Sequence, residues 1–258
     1  MNILYRKIFI ALMITAVMSC LAFAETDTRL MRTLRKPDVT AEDVKRVIAD
    51  GADLNATDKD GYIPIIYAAG FRSTEIIRIV AEAGADIDVQ GLHWAQKGRT
   101  ALMETVVRFS DMDTIRLLIS EKNINMADND GMTALIEAAI HNSKAYVVKA
   151  LIDAGSDVKK YGSRALMGAA SWNCNPETAR LLIEAGADVN IRTSDGKTPL
   201  MLAASAPSRM VDPEKAADFI RVLISEGADV NAKDKNGETA LDFANNENIR
   251  KILRDAIK

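Results

Sequence analysis

Cysteine and histidine are scarce in this chain of 258 residues, which has two of each. Cys20 lies in an apolar N-terminal stretch and Cys174 far from it, which excludes the disulfide framework of a small secreted domain. His93 and His141 are widely separated, and neither has the neighbouring Cys or His of a zinc site. We therefore predict no metal, no cofactor and no catalytic residue, and we expect that the chain is not an enzyme.

An excess of positive charge is also missing. The chain has 33 Lys and Arg against 36 Asp and Glu, for a formal net charge of −3. A mildly acidic chain lacks the basic footprint that nucleic acid requires, so we predict no nucleic-acid partner. The apolar content of 48% and the charged content of 27% are typical of a globular protein and not of a polytopic membrane protein.

The first residues have the pattern of a secretory leader. Arg6 and Lys7 precede an apolar run from Ile8 to Met18, and Ala22-Phe23-Ala24 has the small residues of a cleavage site. The pattern predicts a signal peptide over residues 1–24, export to the periplasm or beyond, and no membrane span after cleavage. Removal of Arg6 and Lys7, with no acidic residue among the first 24, changes the net charge from −3 to −5.

Two alternatives remain for this leader. Ile8 to Ala24 could stay as an anchor, although its length is at the lower limit for spanning a bilayer. Val17-Met18-Ser19-Cys20 loosely resembles a lipid-attachment motif, which would place a lipid anchor on Cys20. In the mature chain Cys174 is then a free thiol, and we expect it to be buried.

A short apolar phrase recurs six times along the chain. The phrases are Ile63-Pro64-Ile65-Ile66, Thr100-Ala101-Leu102-Met103, Thr133-Ala134-Leu135-Ile136, Arg164-Ala165-Leu166-Met167, Thr198-Pro199-Leu200-Met201 and Thr239-Ala240-Leu241-Asp242. A glycine stands two residues before each phrase, at Gly61, Gly98, Gly131, Gly162, Gly196 and Gly237. Because a unit this short cannot bury its own apolar face, the units must stack on one another.

The unit from Thr198 to Asn231 contains the sequence signals of a pair of helices. Thr198 offers a hydroxyl that caps a first helix, and Pro199 fits its first position. A second helix follows with apolar residues at helical spacing, and Gly227 provides the left-handed residue that ends it.

The repeated phrases, and the recurring Gly-Ala-Asp-Val-Asn segments at Gly186 and Gly227, resemble those of the ankyrin-repeat family from about Thr28 to Lys258. With the leader, the chain resembles an exported bacterial ankyrin-repeat protein. The resemblance implies an all-α solenoid of about seven helix-turn-helix repeats with hairpin-like loops. The domains expected are a signal peptide (1–24), an N-terminal capping repeat (25–57), five central repeats (58–236) and a C-terminal capping repeat (237–258).

Some positions depart from the family pattern. Ile63 and Arg164 stand where a capping Thr belongs, so the helices that follow them should each lose about 1 kcal/mol of cap energy. Two insertions, Gly91 to Gln96 and Ala206 to Pro213, lengthen the loops. They are either functional, as extra loops on rigid scaffolds often are, or neutral surface variation.

The resemblance also implies a binding surface. Partners of ankyrin repeats usually bind a concave side, made of the loop tips beside the marker glycines and the exposed ends of the first helices. Carried over by position, these residues are Tyr62, Phe71, Arg99, Arg108, Met132, His141, Tyr161 and Trp172. Four successive repeats have a large or basic residue at the same position, which predicts a row of binding residues. These residues are Phe71, Arg108, His141 and Trp172. The alternative is that they pack against adjacent loops.

Two further patterns have plainer interpretations. Ser171 lies near His141 in the predicted row, but a hydrolase also needs an orienting acid and an oxyanion hole. Loop aspartates such as Asp58, Asp128 and Asp195 lack the spacing of a calcium loop and are better explained as turn residues.

The sequence thus predicts an exported, monomeric module that binds a protein partner. Two alternatives stay open: a lipid-anchored envelope factor that supports another periplasmic protein, and a secreted effector that binds a host protein.

Overall fold

A computed structural model describes residues 29–93, 97–142, 144–206 and 211–257. In these ranges every regular element is an α-helix, which confirms the predicted all-α class. The leader over residues 1–24, which includes Cys20, and parts of both insertions, residues 94–96 and 207–210, lie outside the described residues. Within the described ranges, no helix has both the length and the apolar character needed to cross a lipid bilayer.

The chain divides into two compact units, one ending at Ala101 and the other beginning at Leu102. None of the boundaries expected from the sequence falls there. The helices of the first unit are α1 (29–34), α2 (Ala41–Ala49), α3 (Pro64–Phe71) and α4 (Thr74–Glu82). They form two helix pairs, and the first lies within residues 25–57, the range predicted above for a capping repeat.

The second unit contains five helix pairs. Their first helices are α5 (Ala101–Arg108), which begins at the boundary, α7 (Ala134–His141), α9 (Val158–Trp172), α11 (Pro199–Ala204) and α13 (Ala240–Phe243). Their second helices are α6 (Met112–Leu118), α8 (Ala145–Asp153), α10 (Pro176–Glu184), α12 (Pro213–Ser225) and α14 (Glu247–Ile257). From α7 onwards, the first helices pack in one row, and α8, α10, α12 and α14 pack in another.

The repeat from Thr198 to Asn231 has the structure that its sequence predicts. The Thr198 hydroxyl accepts a hydrogen bond from the backbone N–H of Met201, and Pro199 occupies the first turn of α11. The paired alanines Ala203 and Ala204 are fully buried, which lets neighbouring first helices approach closely. Gly227 ends the second helix with a φ of 90°.

The hairpin-like loops are held by their aspartates, as turn chemistry predicts. Asp58 Oδ1 accepts hydrogen bonds from the backbone N–H groups of Asp60 and Tyr62, and both are 3.0 Å long. Asp128 Oδ1 does the same for Asp130 and Met132, at 2.9 Å. These short side chains take the place of backbone partners that an irregular turn cannot supply.

The predicted loop at Gly162 and the helix start at Arg164 are wrong. Residues Val158 to Trp172 form a single helix of 15 residues, and its N-cap is Asp157, whose side chain accepts from the N–H of Lys160. A cap is therefore already present before Gly162, and the intervening residues lack the Asp and Asn residues that favour turns in the other loops. Gly162 is buried inside the helix.

Arg164 consequently lies within α9 and has another role. Its guanidinium donates to the backbone oxygens of Gly131 and Asp130, both at 2.9 Å, and so ties α9 to the loop of the preceding repeat. The other departure behaves as expected, because Ile63 gives α3 no side-chain cap.

Arg164→Thr tests the difference between a missing cap and a helix-to-loop tie. We expect the free energy of unfolding to fall by about 1 kcal/mol, since two exposed hydrogen bonds are lost and no helix start gains a cap. Urea titration followed by circular dichroism measures the change, with Thr133→Ala as the control that removes a true cap. A gain in stability from Arg164→Thr would show that a helix start at Arg164 is the better description.

Candidate functional site

Three of the predicted binding residues end successive first helices of the second unit. Arg108 is the last residue of α5, His141 of α7 and Trp172 of α9. Trp172 is 52% exposed, and the side chains of Arg108 and His141 are also about half exposed. Large aromatic and basic side chains thus stand on the surface at equivalent places in three repeats.

Two asparagines join the ends of these helices. Asn142 Nδ2 donates to the backbone oxygens of Val106, at 2.8 Å, and Phe109, at 3.1 Å. In the next repeat Asn173 Nδ2 donates to the oxygens of Ala139 and Asn142, both at 2.9 Å. Each asparagine therefore fixes the end of its own helix beside that of the preceding one, which limits the motion of the surface residues there.

A carboxylate lies one helical turn before each of the two basic residues. Glu104 Oε2 is 3.7 Å from Arg108 Nε, and Glu137 Oε2 is 3.4 Å from His141 Nε2. The carboxylate side chains are only 10% and 5% exposed, whereas their partners reach into solvent. Such i, i+4 pairs orient the outer residue, and the second is an ion pair only when His141 is protonated.

The third repeat differs, because Gly168 stands where the other two have a glutamate. A Cβ on Gly168 would lie 2.5 Å from Cγ1 of Ile140. A side chain at position 168 would therefore require the side chain of Ile140 on α7 to shift, and the glycine allows α9 to pack closely against it.

The predicted loop-tip residues are less uniform. Met132 lies in the loop held by Asp128, and its sulfur is 3.4 Å from Nη2 of Arg164. Tyr161 was predicted beside a loop glycine, and this is wrong: it lies inside α9, half-buried, with Lys160 Nζ 4.8 Å from its ring centroid.

The other predicted residues belong to the first unit. Phe71 ends α3 and is 52% exposed, and the ring of Tyr62, in the loop before α3, lies edge-on to it at 6.5 Å between centroids. Arg99 accepts a hydrogen bond from the N–H of Gly91 on its backbone oxygen, at 2.8 Å. The N–H of Gly98 in turn donates to the backbone oxygen of Gly91 at 2.9 Å, so the first residue of the insertion is paired with residues that follow it.

The chemistry available to the nucleophiles is limited. Cys174 is fully buried, as expected, and its burial raises the pKa of the thiol to about 12, so the thiol stays protonated at neutral pH. The Ser171 hydroxyl donates to the backbone oxygen of Met167 at 3.0 Å. Among the described residues, no three His, Cys, Asp or Glu side chains lie close enough together to hold a metal ion.

The chain is similar to known proteins over most of its length. The family model described as ankyrin repeats matches residues 30–123, 84–161, 104–193, 146–212 and 166–257. The chain is 30% identical to a putative ankyrin repeat protein of fowlpox virus over 117 residues, which are 45% of this chain and 33% of that protein. It is 34% identical to the Neurogenic locus Notch protein of Drosophila melanogaster over 124 residues, 47% of this chain and 4% of that protein.

The fold has a solved counterpart. The crystal structure of the ankyrin repeat domain of Bcl-3 matches with a TM-score of 0.61 and 22% identity, covering 88% of this chain and 97% of that one. The chain spans a third or less of the length of the two curated relatives, so their activities are not transferred to it. The recurring helix pairs, their glycine-ended second helices and the family match over residues 30–257 show that this chain belongs to the ankyrin-repeat family.

Proposed function

We propose that this chain is an exported module that binds a partner protein, as a monomer, at the ends of α5, α7 and α9. Ankyrin repeats are protein–protein interaction modules, and their fold is a scaffold without catalytic machinery. The observation that carries the proposal is the half-exposed set of Arg108, His141 and Trp172 at equivalent places in three joined repeats.

The composition of this surface is that of a binding hot spot. Trp and Arg contribute most to the energy of many interfaces, because they bury a large area and keep a polar group for a specific contact. The asparagine ties reduce the conformational entropy that would be lost on binding, since the helix ends are already fixed in the free protein. Support for export comes from the charged start, apolar run and small-residue site within residues 1–24.

Affinity capture from the native compartment tests the partner and its surface. The double variant Arg108→Ala with Trp172→Ala is expected to weaken partner binding at least about 30-fold, as two hot-spot residues would. The matched control is Arg221→Ala with Tyr146→Ala, which likewise removes one arginine and one large aromatic residue, at nearly the same exposure, from second helices. Equal losses in both double variants would place the partner elsewhere.

Mass spectrometry of the captured chain tests export in the same experiment. A chain that begins at Glu25 is expected. A chain that begins at Cys20 and carries acyl groups would instead identify the lipid-anchored envelope factor. Retention of residues 1–24 would contradict cleavage of the leader.

A further inference from the structure

The first unit has a concave site made of residues other than those of the surface proposed above. An open cavity of about 720 Å³, which we name the aromatic pocket, is lined by Arg35, Asp60, Tyr62, Tyr67, Phe71 and His93. Three of these six residues are Tyr or Phe, although Phe, Trp and Tyr make up only 5% of the chain, and the imidazole of His93 adds a fourth ring. Such a concentration of rings around a cavity needs a physical reason.

The rings form a continuous wall. Tyr62 stacks on His93 with 3.9 Å between ring centroids, and its edge meets Tyr67 at 5.4 Å. Tyr67 in turn lies 4.8 Å from Phe71, one helical turn later on α3. The wall ends at Phe71, which is 52% exposed and reaches solvent.

The 91–96 insertion builds one side of this wall. Gly61 has a φ of 86°, and a Cβ at that place would lie 3.3 Å from the backbone nitrogen of His93. The absence of a side chain thus lets the segment with Leu92 and His93 lie directly against the loop and bring His93 onto Tyr62. This gives the described part of the insertion a role in shaping the pocket.

The electrostatics of the pocket favour a cation. Arg35 Nη2 is 2.6 Å from Asp58 and Nη1 is 2.9 Å from Asp60, so one cation faces two carboxylates. Asp58 is 6% exposed, whereas Asp60 is 41% exposed at the rim. These three charges sum to −1, and the guanidinium of Arg72 beside Tyr67 brings the local sum to zero. The groups that would attract a further cation are therefore the exposed carboxylate of Asp60 and the negative faces of the rings.

The protein's own arginines show which cation these rings accept. The guanidinium of Arg35 lies 5.2 Å from the centroid of Tyr62 and 5.9 Å from that of Tyr67, and Arg72 lies 5.7 Å from Tyr67. A planar guanidinium can stack on a ring and pair with a carboxylate at the same time, which a lysine ammonium cannot do as well.

We infer that the aromatic pocket binds an arginine side chain of a partner polypeptide, with the guanidinium on the ring of Phe71 and paired with Asp60. The net negative charge of the whole chain, −3, favours approach of such a basic segment. This site shares no residue with the surface at the ends of α5, α7 and α9, so either proposal can fail while the other stands.

A titration with short peptides tests the inference. The probes are capped heptapeptides of glycine with a central arginine, lysine, citrulline or glutamate, added to the ¹⁵N-labelled full chain and followed by NMR. The arginine peptide is expected to bind at least about fivefold more tightly than citrulline, which has the same shape without the charge, and more tightly than lysine. Shifts should concentrate at residues 58–62, 67–71 and 91–93.

Two variants and one control locate the site. Asp60→Asn and Phe71→Leu should each weaken arginine binding at least about threefold, since one removes the rim charge and the other the exposed ring. Asp195→Asn, at the same loop position of another repeat and without the ring cluster, should leave the affinity unchanged. His93→Ala should also weaken binding, if the insertion shapes the pocket.

Several outcomes overturn the inference. Binding of the citrulline or lysine peptide as tight as that of arginine would remove the need for a guanidinium. Tighter binding of the glutamate peptide would assign the pocket to an acidic partner. Absence of any shift at residues 58–71 with arginine peptide at about 20 mM, well above the millimolar affinity that one cation–π contact and one ion pair can give, would also contradict it.

Discussion

Deletion of residues 237–258 is expected to lower the free energy of unfolding by about 3–6 kcal/mol while the rest of the chain stays helical and cooperatively folded. The deleted segment contains α13 and α14, which pack on α11 and α12. Ile249 and Leu253 on α14 are each only 1% exposed, and burying a side chain of this size contributes about 1.5–3 kcal/mol. In a stack of repeats each unit contacts its neighbours only, so the loss should stay local.

Substitutions within α14 separate packing from chain length. Leu253→Ala should lower the unfolding free energy by about 2–5 kcal/mol, because it leaves a cavity against α12. Ile257→Ala, on the same helix but 43% exposed, should change it by less than about 1 kcal/mol. Chemical denaturation followed by circular dichroism gives all three values. A truncated chain with the full stability of the parent would show that the terminal pair does not cap the stack, and complete loss of helix would show that the stack is not modular.

The sequence was sufficient to predict the helix pairs, because the signals that define them are local. A Thr that caps, a Pro in the first turn and a Gly after the second helix act through their own backbone neighbours. The error at Gly162 has the same origin: Asp157 supplied an earlier cap, and the residues that follow have no strong helix breaker. Gly162 as a turn signal was therefore weaker than Asp157 as a helix cap.

The candidate site was only partly accessible from the sequence. Repeat register placed Arg108, His141 and Trp172 at equivalent positions, and the structure puts all three at helix ends. Alignment of the repeats could also have identified Glu104 and Glu137, which each stand four residues before Arg108 and His141. It could not have shown that the two carboxylates are nearly buried and lie beside those basic side chains.

The aromatic pocket could not be predicted from the alignment of the repeats. Tyr62 and Phe71 were named as separate surface residues, whereas Arg35 comes from the capping repeat and His93 from an insertion outside the repeat pattern. Their meeting depends on the path of two loops and on long side chains, for which a single sequence has no periodic signal. The boundary between the two compact units at Ala101 was missed for a similar reason, since the repeat phrase continues through it.

The asparagine ties of the second unit give the other large expected effect. Asn142→Ala should lower the free energy of unfolding by about 2–4 kcal/mol. The side chain is buried, and its loss removes the bonds to the oxygens of Val106 and Phe109 and leaves the buried acceptor of Val106 without that donor. Its Oδ1 also accepts from the N–H of Lys144 at 2.9 Å. A buried polar group that loses its partner costs more than the net value of the bond.

Asn125→Ala is the matched control, because the Asn125 side chain makes the same kind of hydrogen bonds between repeats at a place that water can reach. Its Nδ2 donates to the oxygen of Gly155 at 3.0 Å and its Oδ1 accepts from the N–H of Asp157 at 2.8 Å, in an exposed loop. Water can replace both bonds there, so the expected loss is about 0.5–1 kcal/mol. Urea denaturation of the two variants measures the difference.

Equal losses in the two variants would mean that burial does not set the strength of these ties, and that the ends of α5 and α7 are not held mainly by Asn142. The expected difference has a consequence for binding. If Asn142 fixes those ends, Asn142→Ala should also weaken partner capture by the Arg108 and His141 surface, although Asn142 itself is only 4% exposed. Asn125→Ala should leave capture unchanged, because it ties a loop after the second helices and not the helix ends that carry the proposed contacts.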